Sequence, residues 1–203
     1  MKVLHVGATG TIGEAVAEAL EEAGHQVVRV GHSSGEYTVD LADKASIEAL
    51  YHAVGPVDAV VCTAGVAEFG PVDELEDEAY EKSLGNKLMG QVNLVRLGLD
   101  RVADGGSFTL TSGTLTTDPD PGTAAVAMVG GAVEAFGRAA ALDLEGRHRL
   151  NVVSPGGVAE TRERMGMDPE PGIWASDLAA YYVEWLTRDE SGKVVEATEP
   201  RAD

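Results

Sequence analysis

Three glycines set three residues apart, Gly7, Gly10 and Gly13, carry the most specific chemical signal in the chain. Glycine can make a sharp turn, let backbone N–H groups come close to a ligand, and let a helix lie tightly on a strand. A helix starting at this point would present unpaired N–H groups and a partial positive charge, which favour a phosphate. Thr9, Thr11 and Ile12 share the loop and are candidate contacts alongside the glycines. A second group is a cluster of hydroxyls, Thr109, Thr111, Ser112 and Thr114, at the end of one apolar run. A third is Lys87, one of five lysines, which would have a shifted pKa if buried beside a ligand. Each has a plainer reading: a tight turn with packing glycines, simple strand-end polarity, and a solvated surface lysine.

For the glycines to hold a phosphate, a strand must lead into them and a helix must follow. Lys2 to Val6 is a short valine-rich run suited to a buried parallel strand. Ile12, Val16, Ala19, Leu20 and Ala23 then recur at helical spacing with glutamates on the opposite face, and Gly24 ends the helix. Further strands are expected at 26–30, 37–39, 58–62, 105–112, 150–154 and 193–195. Helices are expected at 44–54, 72–101, 122–144 and 176–186, with 159–173 irregular. This alternation predicts one α/β domain over 1–203, a Rossmann-like doubly wound parallel sheet in three α/β/α layers. Leu84, Leu88, Val92, Val95 and Leu99 form the apolar stripe of the 72–101 segment. Gly85, Gly90 and Gly98 within it suggest close approach of another element. The Ala- and Gly-crowded helix at 122–144 implies tight helix contacts. Together with 78–101 it is expected to build a homo-oligomer, dimer or tetramer.

In such a sheet a ligand lies outside the carboxyl ends of the strands. Thr63, Ala64 and Gly65 stand at one such end. No acid occurs from Val27 to Gly35, whereas His32, Ser33 and Ser34 could hydrogen-bond a 2′-phosphate, so NADP is expected over NAD. A polar surface turn is the other reading of that loop. The charge balance, 34 acidic against 15 basic residues and a formal −19, opposes nucleic acid and anionic membranes as partners. The acids are spread over the expected helices, which fits adaptation of a whole surface to high salt. With no stretch read as a membrane span, the expected location is the cytoplasm. Cys62 is the only cysteine, so disulfides within the chain and cysteine metal sites are excluded and no metal is expected.

In order and spacing these motifs resemble those of the short-chain dehydrogenase/reductase family over nearly the whole chain. The glycine loop 7–13, the Asp40-Leu41 pair and the turn Cys62-Thr-Ala-Gly65 look like that family's cofactor motifs. Ser154-Pro-Gly156 looks like its segment beside the nicotinamide, which adds Pro155 and Gly156 to the implied contacts. The resemblance implies a catalytic serine at Ser112 or Gly113, and a helix asparagine at Lys87 or the adjacent Asn86. It also implies a proton-donating tyrosine with a lysine four residues on. Aligned on Ala132-Val-Glu134 and Ala141-Leu-Asp-Leu144, these fall on Val126 and Gly130, which do no acid–base work. All five tyrosines (37, 51, 80, 181 and 182) lie elsewhere.

Three functions follow as expectations. The leading one is an oxidoreductase moving hydride between NADP(H), or NAD(H), and a small carbonyl or activated alkene, with Ser112, Lys87 and Thr111 as catalytic candidates. The second is a non-catalytic NAD(P)-binding sensor or complex subunit. The third is an isomerase or lyase using the nucleotide site for another ligand. Arg162 and Arg164 either bind an anionic substrate or are solvated surface charge.

Overall fold

The computed structural model describes residues 1–201. β1 (Lys2–Val6), β2 (Gln26–Gly31), β3 (Tyr37–Thr38), β4 (Val57–Cys62), β5 (Val102–Thr111), β6 (Arg149–Pro155) and β7 (Val194–Ala197) form one parallel sheet. Its strand order is β3-β2-β1-β4-β5-β6-β7. The chain runs outward from β1 to β3 and then crosses back to place β4 on the other side of β1. That reversal opens a crevice between the carboxyl ends of β1 and β4.

Side chains alternate across the sheet and sort the core into two layers. Val3, Ala59, Val61 and Val153 face α1 (Thr11–Glu22) and α7 (Ala175–Thr187), whose Val16, Leu20, Leu178 and Tyr182 bury against them. Leu4, Val6, Val60, Phe108, Leu110, Leu150 and Val152 face the other way. They pack on α2 (Lys44–Val54), α4 (Gly90–Gly98) and α5 (Ala124–Asp143) through Ile47, Leu50, Leu94 and Val133. A fully buried leucine such as Leu20 contributes about 2 kcal/mol by leaving water. The expected doubly wound α/β/α sheet is the observed one.

Several boundaries differ from the sequence expectation. The segment expected as helix from Val72 begins only at α3 (Asp77–Ser83), after an extended Glu76. Between α3 and α4 the chain forms a π-helical turn, Leu84–Met89. The extra residue per turn shifts the apolar stripe, so Leu84 stays 39% exposed while Val92 and Val95 are buried. Gly90 and Gly98 do meet close neighbours, Leu41 and Tyr51 respectively; Gly85 meets none. The segment expected as irregular contains a short helix, α6 (Ala159–Arg164). The base of that segment is closed by pairing of Val158 with Ile173.

The expectation that no stretch has membrane-span length is also corrected. α5 has 20 residues and a mean hydropathy of 1.4, enough by length and composition alone. Its alanines and valines supply that hydropathy, and here it packs on the sheet with Val129, Val133 and Gly137 buried.

Candidate functional site

The site is built where β1 and β4 part. Gly7 has φ +98°, a conformation that side chains avoid, and turns the chain sharply out of β1. A Cβ on Gly7 would press into the Thr63–Ala64 turn after β4, and a Cβ on Gly13 would collide with the Gly7 carbonyl. These two glycines therefore close the loop against the sheet and seat α1 on it. Gly10 differs: its nearest neighbour to an added Cβ is the Gly7 carbonyl at 3.5 Å, so its outer side is open. Gly10 is also the N-cap of α1 and makes no side-chain cap. The first N–H groups of α1, from Thr11 onward, thus face outward beside an open glycine. That is the cradle a phosphate requires.

A cleft continues from this cradle. Gly7, Gly31, His32, Leu41, Ala64 and Gly65 line it, together with Val66 and Asn86. Thus Gly7, His32, Leu41, Ala64 and Gly65 come together as the sequence suggested. Ser33 and Ser34 are exposed on the adjoining loop. Asp40 turns its carboxylate back to the Ala42 N–H at 2.9 Å, which leaves it a loop-forming role. Pro155 ends β6, and the Gly156 N–H donates to the Ala197 carbonyl at 3.0 Å, so this pair extends the sheet toward β7. Thr63 is held from below: its hydroxyl lies 3.0 Å from Nε2 of buried His5. Burial, aided by the Arg29 charge, pushes the His5 pKa down to about 3, so the ring stays neutral at ordinary pH.

At the β4–β5 end the geometry sorts the three catalytic candidates. Lys87 sits in the π-helical turn with its aliphatic stem packed on Gly65. Gln91, four residues on, grips both the N–H and the carbonyl of Thr111 at 2.9 Å and so fixes this helix to the end of β5. Lys87 is half-buried, and among the described residues no carboxylate lies within ion-pairing distance of it. Burial lowers its ammonium pKa, with Cys62 acting in the opposite direction. An unpaired, partly desolvated cation at the strand ends is suited to meet a ligand oxygen. Lys87 is therefore not a fully solvated surface lysine.

Thr111 belongs to a different environment. Its side chain points to the α7 face, donating to the Cys62 carbonyl at 2.6 Å and lying 2.7 Å from the Tyr182 hydroxyl. It is buried and fully partnered, which removes it from the catalytic set. Ser112, one residue on, faces the opposite layer and donates to Glu134 of α5 at 2.9 Å. Thr116 donates to the same carboxylate oxygen at 2.9 Å, and Ser154 at 3.3 Å. Arg138 approaches the other oxygen at 3.4 Å. Glu134 escaped sequence reasoning because a glutamate on a helix ordinarily marks the solvated face. Its spacing of four from Arg138 was the only hint.

The short helix α6 adds one more contact. Arg164 donates to the Thr11 hydroxyl at 2.5 Å, which places a cation at the mouth of the glycine cradle. Arg162 instead ties its own loop together through the carbonyls of Asp168 and Glu170. Its guanidinium is committed there and does not reach outward for a substrate.

Comparison with known proteins agrees with this geometry. A family model described as enoyl-(acyl carrier protein) reductase matches residues 7–195. A solved protein from Listeria innocua is 38% identical, with a TM-score of 0.92 over 97% of this chain and 99% of that one. A small-chain dehydrogenase solved in complex with NADPH is 27% identical, with a TM-score of 0.86 over 97% of this chain and 96% of that one. Carbonyl reductase [NADPH] 2 of Sus scrofa is 30% identical over 190 residues, 84% of this chain and 77% of that protein. The chain belongs to the short-chain dehydrogenase/reductase family.

Proposed function

We propose that this short-chain dehydrogenase/reductase acts as one NAD(P)-binding domain over its whole length and is an oxidoreductase for a small carbonyl, alcohol or activated alkene. The observation that carries the reading is the glycine cradle: Gly7 and Gly13 are closed against backbone while Gly10 stands open at the start of α1. The residues fit a dinucleotide. Gly10, Thr11 and Ile12 would hold the pyrophosphate, His32, Ser33 and Ser34 the adenosine end, and Ala64, Gly65, Pro155 and Gly156 the nicotinamide end. Preference for the phosphorylated cofactor rests on His32 and the two serines, and the NADPH-bound relative supports it. When bound, the dinucleotide supplies the hydride chemistry. The chain's own residues orient and polarise. Lys87 presents an unpaired cation to the substrate oxygen, and Ser112 adds a hydroxyl beside it.

A second reading is favoured by one observation. α5 contains neither tyrosine nor lysine, so the usual acid of the family is missing. A non-catalytic NAD(P) sensor or complex subunit would need neither. On both readings the protein is a cytoplasmic homo-oligomer assembled through the helical segments 78–101 and 122–144, without nucleic-acid or membrane partners. The formal charge of −19 supports the last point and motivates the high-salt hypothesis.

Titration of NADPH and NADH, followed by nicotinamide fluorescence and melting temperature at low and molar salt, tests the proposal. Saturable NADPH binding with a raised melting temperature is expected. No binding of either dinucleotide would remove both readings. Full stability without salt would remove the salt-adaptation hypothesis alone.

A further inference from the structure

We infer that Ser112 and Glu134 form a proton relay that replaces the absent tyrosine, and that its substrate is an alcohol; this rests on the oxidoreductase reading above. Ser112 is half-buried at the carboxyl end of β5, beside the nicotinamide end of the proposed site. Its hydroxyl donates to Oε1 of Glu134 at 2.9 Å. A serine has one proton to donate, and a carboxylate can only accept. With that proton directed inward, Ser112 offers lone pairs outward. A group meeting it from the proposed nicotinamide side must therefore be a donor. An alcohol hydroxyl qualifies and a carbonyl oxygen does not.

Among the described residues, Glu134 is the one carboxylate that Ser112 meets. It is 5% exposed, and three hydroxyls (Ser112, Thr116 and Ser154) converge on its Oε1. Its Oε2 meets Arg138 at 3.4 Å, and that side chain is 56% exposed. Of the three hydroxyls, Ser112 stands directly after β5, at one of the two positions, Ser112 or Gly113, on which the family's serine falls. Lys87, whose stem packs on Gly65 after β4, would hold the substrate oxygen while its proton leaves.

The step balances as follows. The alcohol O–H bond breaks and its proton passes to Ser112 Oγ, while the Ser112 proton passes to Glu134 Oε1. The electron pair of the adjacent C–H bond leaves as hydride to an oxidised nicotinamide dinucleotide. The products are a carbonyl compound, the reduced dinucleotide and a neutral Glu134, which gives its proton to water before the next turnover.

The competing account makes Glu134 a purely structural tie between α5 and the ends of β5 and β6. Glu134→Gln keeps the shape and removes the proton acceptor. Three readouts are taken on wild type and variant: NADP⁺ and NADPH affinity, melting temperature, and dinucleotide-dependent oxidation of a panel of secondary alcohols in H₂O and D₂O. The relay predicts that E134Q binds within about 3-fold of wild type and oxidises at least about 100-fold more slowly, the range expected for loss of a general base. It also predicts a solvent isotope effect in wild type that changes in the variant. Ser112→Thr should recover most of the rate and Ser112→Ala should not; this pair carries the test if E134Q fails to fold. Oxidation by E134Q within about tenfold of wild type, or equal rates for S112A and S112T, overturns the relay. Wild type that binds NADP⁺ but oxidises no alcohol overturns it too, and leaves the dinucleotide reading standing. Wild type that binds no dinucleotide overturns both.

Discussion

The glycine loop after β1 and the hydroxyl corner after β5 lie on the same edge of one sheet, yet they are held by different forces. At Gly7 and Gly13, backbone atoms occupy the space a side chain would need. At Ser112 and Ser154, the shape comes from side-chain hydrogen bonds to one carboxylate on α5. Steric exclusion admits one residue type, so the cradle keeps its glycines. A hydrogen-bonded corner admits several solutions, so its chemistry can change while the fold stays. α5 shows this: with no tyrosine or lysine it still packs its Val129, Val133 and Gly137 on the sheet.

That contrast can be broken most sharply at Gly10, the loop glycine with open space. Gly10→Asp should lower NADPH affinity at least about 100-fold, nearly 3 kcal/mol, because its carboxylate faces the pyrophosphate. Melting temperature should hold or rise, since Asp is a good N-cap. Unchanged affinity in a fluorescence titration would remove the phosphate from this loop. Next comes Gly13→Ala, whose methyl meets the Gly7 carbonyl and should cost about 1–3 kcal/mol in urea unfolding. Wild-type stability in this variant would contradict steric control of the loop.

Third is a pH effect confined to the cradle side. His5 has a folded pKa of about 3 against 6.5 in the unfolded chain. Between those values the unfolded state binds the extra proton, so this contribution is complete above about pH 6.5 and is lost as pH falls. At pH 5 the loss is about 2 kcal/mol. Comparing wild type with His5→Gln by urea unfolding at pH 5 and 7 checks this; equal pH slopes would rule it out. The smallest effect reverses the sign of the Gly13 result. Gly131 in α5 has no atom within 4 Å of an added Cβ. Gly131→Ala should therefore stabilise by about 0.5–1 kcal/mol through helix propensity. A destabilised G131A would mean that another subunit occupies that space, which would support assembly through α5.

What the sequence made legible follows the same division. Gly7 and Gly13 could be read because a backbone requirement leaves one residue type in a recognisable place. The strands could be read because buried parallel strands are runs of Val and Leu. Thr111 was misplaced because composition shows a hydroxyl but not which face of the strand it takes, and the alternation that sends it to Tyr182 and Ser112 to Glu134 appears only with the register. Lys87 was ambiguous because its burial depends on the π-helical turn, which has no periodic signature. α6 was missed because six residues between Gly157 and Pro169 are too few to show a helical repeat.

The strand order also bears on how the molecule comes into being. Once β1 has paired with β2 and β4, every later strand joins the same growing edge in the order in which it is synthesised: β5 on β4, β6 on β5, β7 on β6. No later strand has to insert between two that are already paired. The cradle, made from β1, α1 and the end of β4, is then complete by about Gly65, before the residues of the hydroxyl corner exist. Pulse-labelled hydrogen exchange during refolding should show protection spreading from β1 and β4 toward β7, so that the ligand-binding half of the edge matures ahead of its chemical half.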